Sequence, residues 1–185
     1  TFSLIGETTD DAAGEAFDKG ARILGLNYPG GPEIDKISKK GKVDYFNFPR
    51  PKVKKSPFSF SFSGLKTALL YYSQKTDKNE FNNNISNIAA SYQEAILDCL
   101  FNALEKIPSH FPKVNDIYIS GGVAANHRLR QKSIEFESIH DKNIILPKLE
   151  YCTDNAAMIA MAAYQKIKNG KVSNYDLAPI PNLKL

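Results

Sequence analysis

Apolar residues recur every three or four positions along several stretches of the chain, the spacing of one face of an α-helix. Between about residues 10 and 24, Ala13, Phe17 and Ala21 share such a face, with Thr9 as the expected N-cap and Gly25 as the expected stop. The same spacing predicts a short helix that carries Ile34 and Ile37 inward and ends at Gly41, and longer helices over about residues 63–72, 85–107, 124–139 and 153–167.

Short strands are predicted between these helices. Phenylalanine alternates with serine over residues 58–62, and residues 43–48 are also strand-like, so the two are expected to form a hairpin joined through Pro49-Arg50-Pro51. Further strands are expected over residues 2–5, 116–120 and 144–146, with a polar loop over 75–84 and an irregular tail over 171–185. The pattern is therefore that of an α/β protein, with a mixed sheet and flanking helices.

The composition fits this fold and narrows the compartment. With 185 residues, 42% of them hydrophobic and 24% charged, the chain can bury a core as one domain or two small lobes. Its two cysteines are far apart and form no CxxC pair, so a reducing, cytoplasmic environment is expected. No apolar run of about eighteen residues predicts a membrane span. The chain starts without Met and without a signal-peptide pattern, so we expect it to begin in mid-protein.

Positive charge is concentrated in one stretch. The net charge is +4, and eight of the twenty residues from Lys36 to Lys55 are Lys or Arg: Lys36, Lys39, Lys40, Lys42, Arg50, Lys52, Lys54 and Lys55. Such a stretch is typical either of a surface that meets nucleic-acid phosphates or of a solvated loop and strand edge.

Acidic residues gather before it, on either side of a predicted turn over residues 28–32. Asp18 and Asp35 flank Pro29-Gly30-Gly31-Pro32, and ionised carboxylates accept hydrogen bonds from paired hydroxyls such as those of ribose. Gly31 would let a backbone approach a ring closely. Each acid alone is typical of a protein surface, but two acids around a glycine turn favour a nucleoside pocket.

A second glycine turn follows the strand predicted over residues 116–120. Gly121-Gly122 between a strand and a helix directs free backbone N–H groups toward a phosphate or nucleotide, although many α/β turns need glycine only for its positive φ. Asn126, in the first turn of the predicted helix, offers both a donor and an acceptor to a ribose or a base.

Asp154 lies beside Thr153, the predicted start of a strongly apolar last helix. A lone acid there is typical of a helix cap or dipole partner, and a metal would need further ligands. The histidines at 110, 127 and 140 form no i, i+4 pair, Cys152 has no evident base, and no nucleophile motif indicates a hydrolase.

Four segments together resemble a known family. They are GETTDDAAGEAFDKGARILGLNYPGGPEID, FSFSGLKTA, ISGGVAANHRLR and TDNAAMIA. In order and spacing they resemble the C-terminal half of the TsaD (Gcp) family, the tRNA threonylcarbamoyladenosine transferases. The resemblance implies a lobe of the actin-like, sugar kinase and Hsp70 ATPase superfamily (RNase H-like), with a helical acidic segment over 1–42 and an ATPase-like α/β lobe over 43–185.

The resemblance also implies roles for the candidate residues. Asp18, Gly31, Asp35 and Asn126 would contact threonylcarbamoyl-adenylate or ATP together with Gly121-Gly122, and Asp154 would ligate iron or zinc. The family's metal would polarise the carbamoyl carbonyl while the amino group of the tRNA adenosine next to the anticodon attacks and AMP leaves. The expected partners are tRNA, TsaB-like and TsaE-like companions and the family's N-terminal lobe, which carries a His-x-x-x-His pair.

That lobe has no counterpart in these 185 residues, so this chain alone is expected to be inactive. One alternative function is a non-catalytic nucleotide-binding scaffold or regulatory module of the same superfamily. The peptidase label once attached to the family is disfavoured because the sequence contains neither a nucleophile motif nor a complete zinc motif.

Overall fold

The computed structural model describes residues 3–54, 56–175 and 178, which form a mixed α/β structure dominated by helices. The helices are α1 (Ala13–Ile23), α2 (Gly30–Ser38), α3 (Ser63–Lys75), α4 (Lys78–Asn83), α5 (Ile85–Leu104), α6 (Ile107–His110), α7 (His127–His140) and α8 (Ala156–Lys168). The strands are β1 (Asp116–Tyr118) and β2 (Asn143–Ile145). None of these helices combines the length and the apolarity needed to cross a membrane.

Helix α5 is the centre of the core. Ile88, Tyr92 and Ile96 are fully buried one turn apart, and α1, α2 and α3 pack around them. The Tyr92 hydroxyl donates a 3.0 Å hydrogen bond to the carbonyl oxygen of Ala16, so the phenol is paired inside the core. Gly20 makes this approach possible, since a Cβ there would lie 2.2 Å from the Tyr92 ring. Residues on both sides of position 42 thus share one core. The division of the chain into segments 1–42 and 43–185 stays a prediction.

The two strands form a parallel pair, with Ile117 opposite Ile144 and α7 in the connection between them. Ile117 and Ile144 are buried, whereas Tyr118 is exposed. In the described part of the chain, regular pairing is limited to this two-stranded sheet and one parallel bridge between Thr8 and Phe60. Both predicted strands of this unit are confirmed: β1 is two residues shorter than expected, and β2 has the expected length but begins one residue earlier.

The predicted hairpin of residues 43–48 and 58–62 is wrong. Phe46 and Phe48 lie in irregular chain and pack their rings against Tyr72, at centroid distances of 4.3 and 6.3 Å. Of the alternating phenylalanines, Phe60 alone makes a bridge, with Thr8. Aromatic side chains that bury themselves against helices need no strand ladder, and this tertiary packing overrode the local alternation.

Several helix boundaries differ because polar residues are used elsewhere. The first helix begins at Ala13 rather than near residue 10, since Asp10 and Thr9 bond to the segment around Phe60. The predicted polar loop contains α4, whose N-cap Asp77 accepts from two backbone N–H groups. Asn155, not Thr153, caps α8 by accepting from the N–H of Met158 at 3.0 Å.

The ends of the chain add little regular structure. Residues 171–175 and 178 form neither helix nor strand, as expected for the tail. The other tail residues, together with Phe2 of the predicted first strand and Lys55 of the basic stretch, lie outside the described residues.

Candidate functional site

Asp10 holds the start of α3. Its carboxylate accepts from the N–H of Phe62 at 2.7 Å and from the hydroxyl of Ser63 at 3.0 Å. Burial alone would raise the pKa of Asp10, but these hydrogen bonds and one from Ser61 outweigh it and hold the pKa below its ordinary value. The carboxylate of Asp10 is therefore charged in the folded protein, and its hydrogen bonds hold the N-terminal segment against the start of α3.

Asp11 and Glu15 are neutralised locally. Both carboxylates lie against the ammonium group of Lys19, at 2.6 and 2.8 Å. These two acids of the opening segment are accordingly surface ion-pair partners, in keeping with their partial exposure.

Asp18 caps α2. Its Oδ1 accepts a 2.8 Å hydrogen bond from the N–H of Gly30, the first residue of that helix. The predicted turn over residues 28–32 is thus partly wrong, because its two glycines open a helix. A Cβ on Gly30 would lie 2.5 Å from the Cβ of Ala21, whereas a Cβ on Gly31 would meet only Phe17, at 3.9 Å. Gly30 is needed for packing, and Gly31 has open space beside it.

Asp35 joins α2 to the start of α7. Only 8% of it is exposed; its Oδ1 accepts from the backbone N–H of His127 at 3.2 Å, and its Oδ2 lies 2.6 Å from the ring nitrogen Nδ1. A carboxylate has about four lone-pair positions, so these two contacts leave acceptor capacity for further donors.

Asn126 is the N-cap of α7 rather than a residue of its first turn. Its Oδ1 accepts from the N–H of Leu129 at 2.9 Å, and its Nδ2 donates to Oε1 of Gln93 at 2.7 Å. The residue is 7% exposed, and one N–H of the amide remains beyond these two bonds. Its side chain therefore already supports the fold.

Gly121 and Gly122 form the expected turn. Gly121 has φ +94°, a conformation that favours glycine, and residues 122–125 make a short 3₁₀ turn whose start has no side-chain cap. Both glycines are exposed. A Cβ on Gly14 of α1 would lie 3.9 Å from Val123, so this turn lies beside the acidic helix.

These contacts bring most of the predicted site together. Helix α1 with Asp18 packs against the next helix, α2, with Gly31 and Asp35. The segment from Gly121 to Asn126 touches α1, and the residue that follows it, His127, bonds to Asp35 of α2, although this segment is far from both helices in sequence. Asp154 stands apart: it is exposed and precedes α8, in which every residue is exposed. Among the described residues, no group of three or more His, Cys, Asp or Glu side chains could hold a metal ion.

A cavity of about 300 Å³ opens between α2, α5 and α7, and we call it the α2–α5–α7 cavity. Asp35 and His127 both line it. Ser38 of α2 and Gln93 of α5 also line it, and sequence reasoning missed both. Gln93 lies within a run of buried residues of α5 and orients Asn126, a tertiary role that helical periodicity does not reveal.

A buried ion-pair network lies next to the cavity and was also missed. Glu94 of α5 accepts from Nε and Nη2 of Arg128 at 2.7 and 2.8 Å and from Lys132 at 2.8 Å, and Lys132 also contacts Asp98 at 2.7 Å. Burial alone would raise the pKa of Glu94, but the two cations outweigh it and lower the pKa. The network fixes α7 against α5 and so supports the cap at Asn126.

The basic stretch is only partly free to meet a ligand. Arg50 donates from Nε and Nη2 to Asp98, at 2.9 and 2.7 Å, and thus belongs to the same network. The other described members are exposed, namely Lys36, Lys39, Lys40, Lys42, Lys52 and Lys54.

Comparisons with known proteins point to one family. The family model described as "TsaD: tRNA N6-adenosine threonylcarbamoyltransferase" matches residues 1–161. A protein of that name from Thermosipho africanus is 52% identical over 184 residues, 100% of this chain and 55% of that protein. Its namesake from Fervidobacterium nodosum is 48% identical, with 97% of this chain and 53% of that protein covered. The chain thus spans about half the length of the curated relatives it matches.

Proposed function

Since the chain belongs to the TsaD family, we propose that it is part of a tRNA threonylcarbamoyltransferase. The membership confirms the resemblance that its four motifs predict. The reaction is acyl transfer from threonylcarbamoyl-adenylate to the tRNA adenosine next to the anticodon. The adenosine N6 amine attacks the carbamoyl carbonyl, a C–N bond forms, the bond to the AMP phosphate oxygen breaks, and the amine loses its proton.

In this proposal the chain holds the adenylate. The carboxylates of Asp18 and Asp35 accept from the ribose hydroxyls, Gly31 leaves room for the nucleoside, and Asn126 with the Gly121-Gly122 turn binds the remaining polar groups. The observation that supports it is the meeting of α1, α2 and the start of α7 through the contacts Asp18–Gly30 and Asp35–His127. Holding the adenylate fixes the carbamoyl carbon for attack, which lowers the entropic part of the barrier.

The remaining parts of the enzyme are proposed to come from elsewhere. We propose that the chain is one lobe of the actin-like superfamily fold, and that tRNA, TsaB-like and TsaE-like proteins and a second lobe complete a cytoplasmic enzyme. The exposed apolar residues of α8, including Ile159, Met161 and Ile167, favour a packing partner such as that lobe.

The described residues do not form a complete metal site. Asp154 is a single exposed carboxylate, and a catalytic metal normally has three protein ligands and an open position. We therefore propose Asp154 as one ligand, with the others supplied by the second lobe. The purified chain alone should bind no iron or zinc tightly and transfer no threonylcarbamoyl group.

Calorimetric titration of the full-length enzyme with a stable adenylate analogue tests the nucleotide site. Asp18→Asn keeps an oxygen to cap α2 but removes the charge offered to ribose, so affinity should fall roughly tenfold or more. Glu15→Gln on the same helix, where Glu15 contacts Lys19, is the matched control and should bind normally. Equal affinity in the wild type and both variants would refute the assigned pocket.

The reaction itself is tested with tRNA, threonine, bicarbonate, ATP and the companion synthase. Transfer by the full-length enzyme is expected. If the nucleotide binds without transfer, the protein is instead the non-catalytic scaffold.

A further inference from the structure

Ser38 contributes a hydroxyl group that the fold does not use. The residue is 7% exposed, and among the described residues its buried Oγ has no hydrogen-bond partner. A serine within a helix commonly bonds back to a carbonyl one turn earlier, as Ser133 does to Leu129 at 2.9 Å. A buried hydroxyl without a partner destabilises the folded chain, so stability does not explain why a serine occupies this position.

The explanation lies in the place where Ser38 sits. It lines the α2–α5–α7 cavity, whose volume of about 300 Å³ is at the lower end for sites that bind small molecules. Oγ itself is buried, and χ1 has three staggered positions, so the hydroxyl can turn toward a ligand that fills the cavity. A ligand in the cavity would give the hydroxyl the partner that the protein does not supply.

The other walls indicate which part of a ligand reaches Ser38. Asp35, three residues earlier on the same face of α2, retains acceptor capacity for hydroxyl groups and would repel a phosphate. Val43 and Ala90 add apolar surface suited to a flat ring. Two cations also line the cavity, but Arg128 is already paired with Glu94 and Glu135, and Lys39 is exposed to solvent. A ribose at Asp35 would therefore place its base, not its phosphate, toward Ser38.

We propose that Ser38 is a specificity-determining residue whose hydroxyl hydrogen-bonds the base of the bound nucleotide. The inference rests on the proposed function and adds to it the residue that reads the base. Ser38 takes no part in the transfer step, so it affects nucleotide affinity and base preference.

The test compares Ser38→Ala with Ser133→Ala in the full-length enzyme, with AMP and IMP as probes in calorimetric titrations. Ser38→Ala should bind AMP roughly tenfold more weakly and narrow the difference between AMP and IMP, because a ligand hydrogen bond is lost. Its melting temperature without ligand should stay the same or rise, since an unpaired hydroxyl is removed. Ser133→Ala should melt lower, because its hydroxyl is paired, and should bind AMP normally.

Two results overturn the inference, and they differ from failure of the proposed function. Unchanged AMP affinity in Ser38→Ala, while Asp18→Asn still weakens binding, would show that Ser38 does not contact the base. A lower melting temperature in Ser38→Ala would show that its hydroxyl is used by the fold. Absence of AMP binding in the wild type would instead remove the nucleotide site and the inference with it.

Discussion

The adjacent glycines of α2 should respond in opposite ways to the same substitution. In Gly30→Ala the new Cβ would lie 2.5 Å from the Cβ of Ala21 and 2.7 Å from the Cα of Asp18, so α1 and α2 must move apart. Overpacking of this kind costs about 1–3 kcal/mol, while replacing a helical glycine by alanine returns about 1 kcal/mol at most. The net expectation is a loss of about 1–2 kcal/mol.

Gly31→Ala has no such cost. Its nearest contact is Phe17 at 3.9 Å, and its φ is not positive, so the helix should gain about 0.5–1 kcal/mol. If the nucleoside lies against Gly31, the same methyl group should weaken the adenylate analogue roughly tenfold, by overpacking the bound ligand. If both results are obtained, Gly30 serves the packing of two helices and Gly31 serves the ligand.

Urea denaturation of the chain measures the first effect, and titration of the full-length enzyme measures the second. Equal stability of the two variants would refute the close approach of α1 to α2 at Gly30. Normal binding by a stable Gly31→Ala variant would refute the position of the nucleoside beside α2.

Two further predictions concern charge. Glu94→Gln should lower the free energy of unfolding at pH 7 by about 2–4 kcal/mol, because two cations lose a buried partner. The control Glu135→Gln changes an exposed carboxylate and should lower it by less than about 1 kcal/mol. Urea denaturation measures both. Since folding lowers the pKa of Glu94, its contribution is complete above the ordinary value of 4.5 and is lost as the pH falls through the lower folded-state pKa. A difference between wild type and Glu94→Gln that persists unchanged to pH 2 would contradict this. Reversing Lys52 and Lys54 to Glu should weaken tRNA binding and flatten the slope of log affinity against log salt by roughly one to two, with Lys113→Glu as the exposed control. An unchanged slope would identify those lysines as a solvated surface.

The sequence predicted the helical part of the fold better than the extended part. Helices α3, α5 and α8 follow from apolar spacing, and their stops follow from polar or glycine residues such as Gly170, which has φ +69°. The segment around Phe46 and Phe48 could not be read in this way. Its burial depends on Tyr72 and Tyr92, which are distant in sequence, so local alternation carried the wrong information.

The candidate site was predicted in composition but not in its internal contacts. The sequence predicts Asp18 and Asp35 as acceptors for a ligand and Asn126 as both donor and acceptor. In the structure each of the three accepts from a backbone N–H in the first turn of a helix. A sequence shows that a polar side chain is present, but not which backbone N–H group donates a hydrogen bond to it. Gln93 and Ser38 escaped notice because buried polar residues within a helix differ from exposed ones only through their tertiary neighbours.

Three of the carboxylates that hold helix starts do so across long stretches of sequence, and they set an order on folding during biosynthesis. Asp18 finds its partner 12 residues away, Asp10 finds Phe62 52 residues away, and Asp35 finds His127 only after 92 residues. A chain leaving the ribosome can therefore close the first contact early, but it must wait for α7 to emerge before Asp35 is paired. A nascent chain that stalls before residue 127 would therefore have α1 and α2 in place while the carboxylate of Asp35 still lacks its partner in α7.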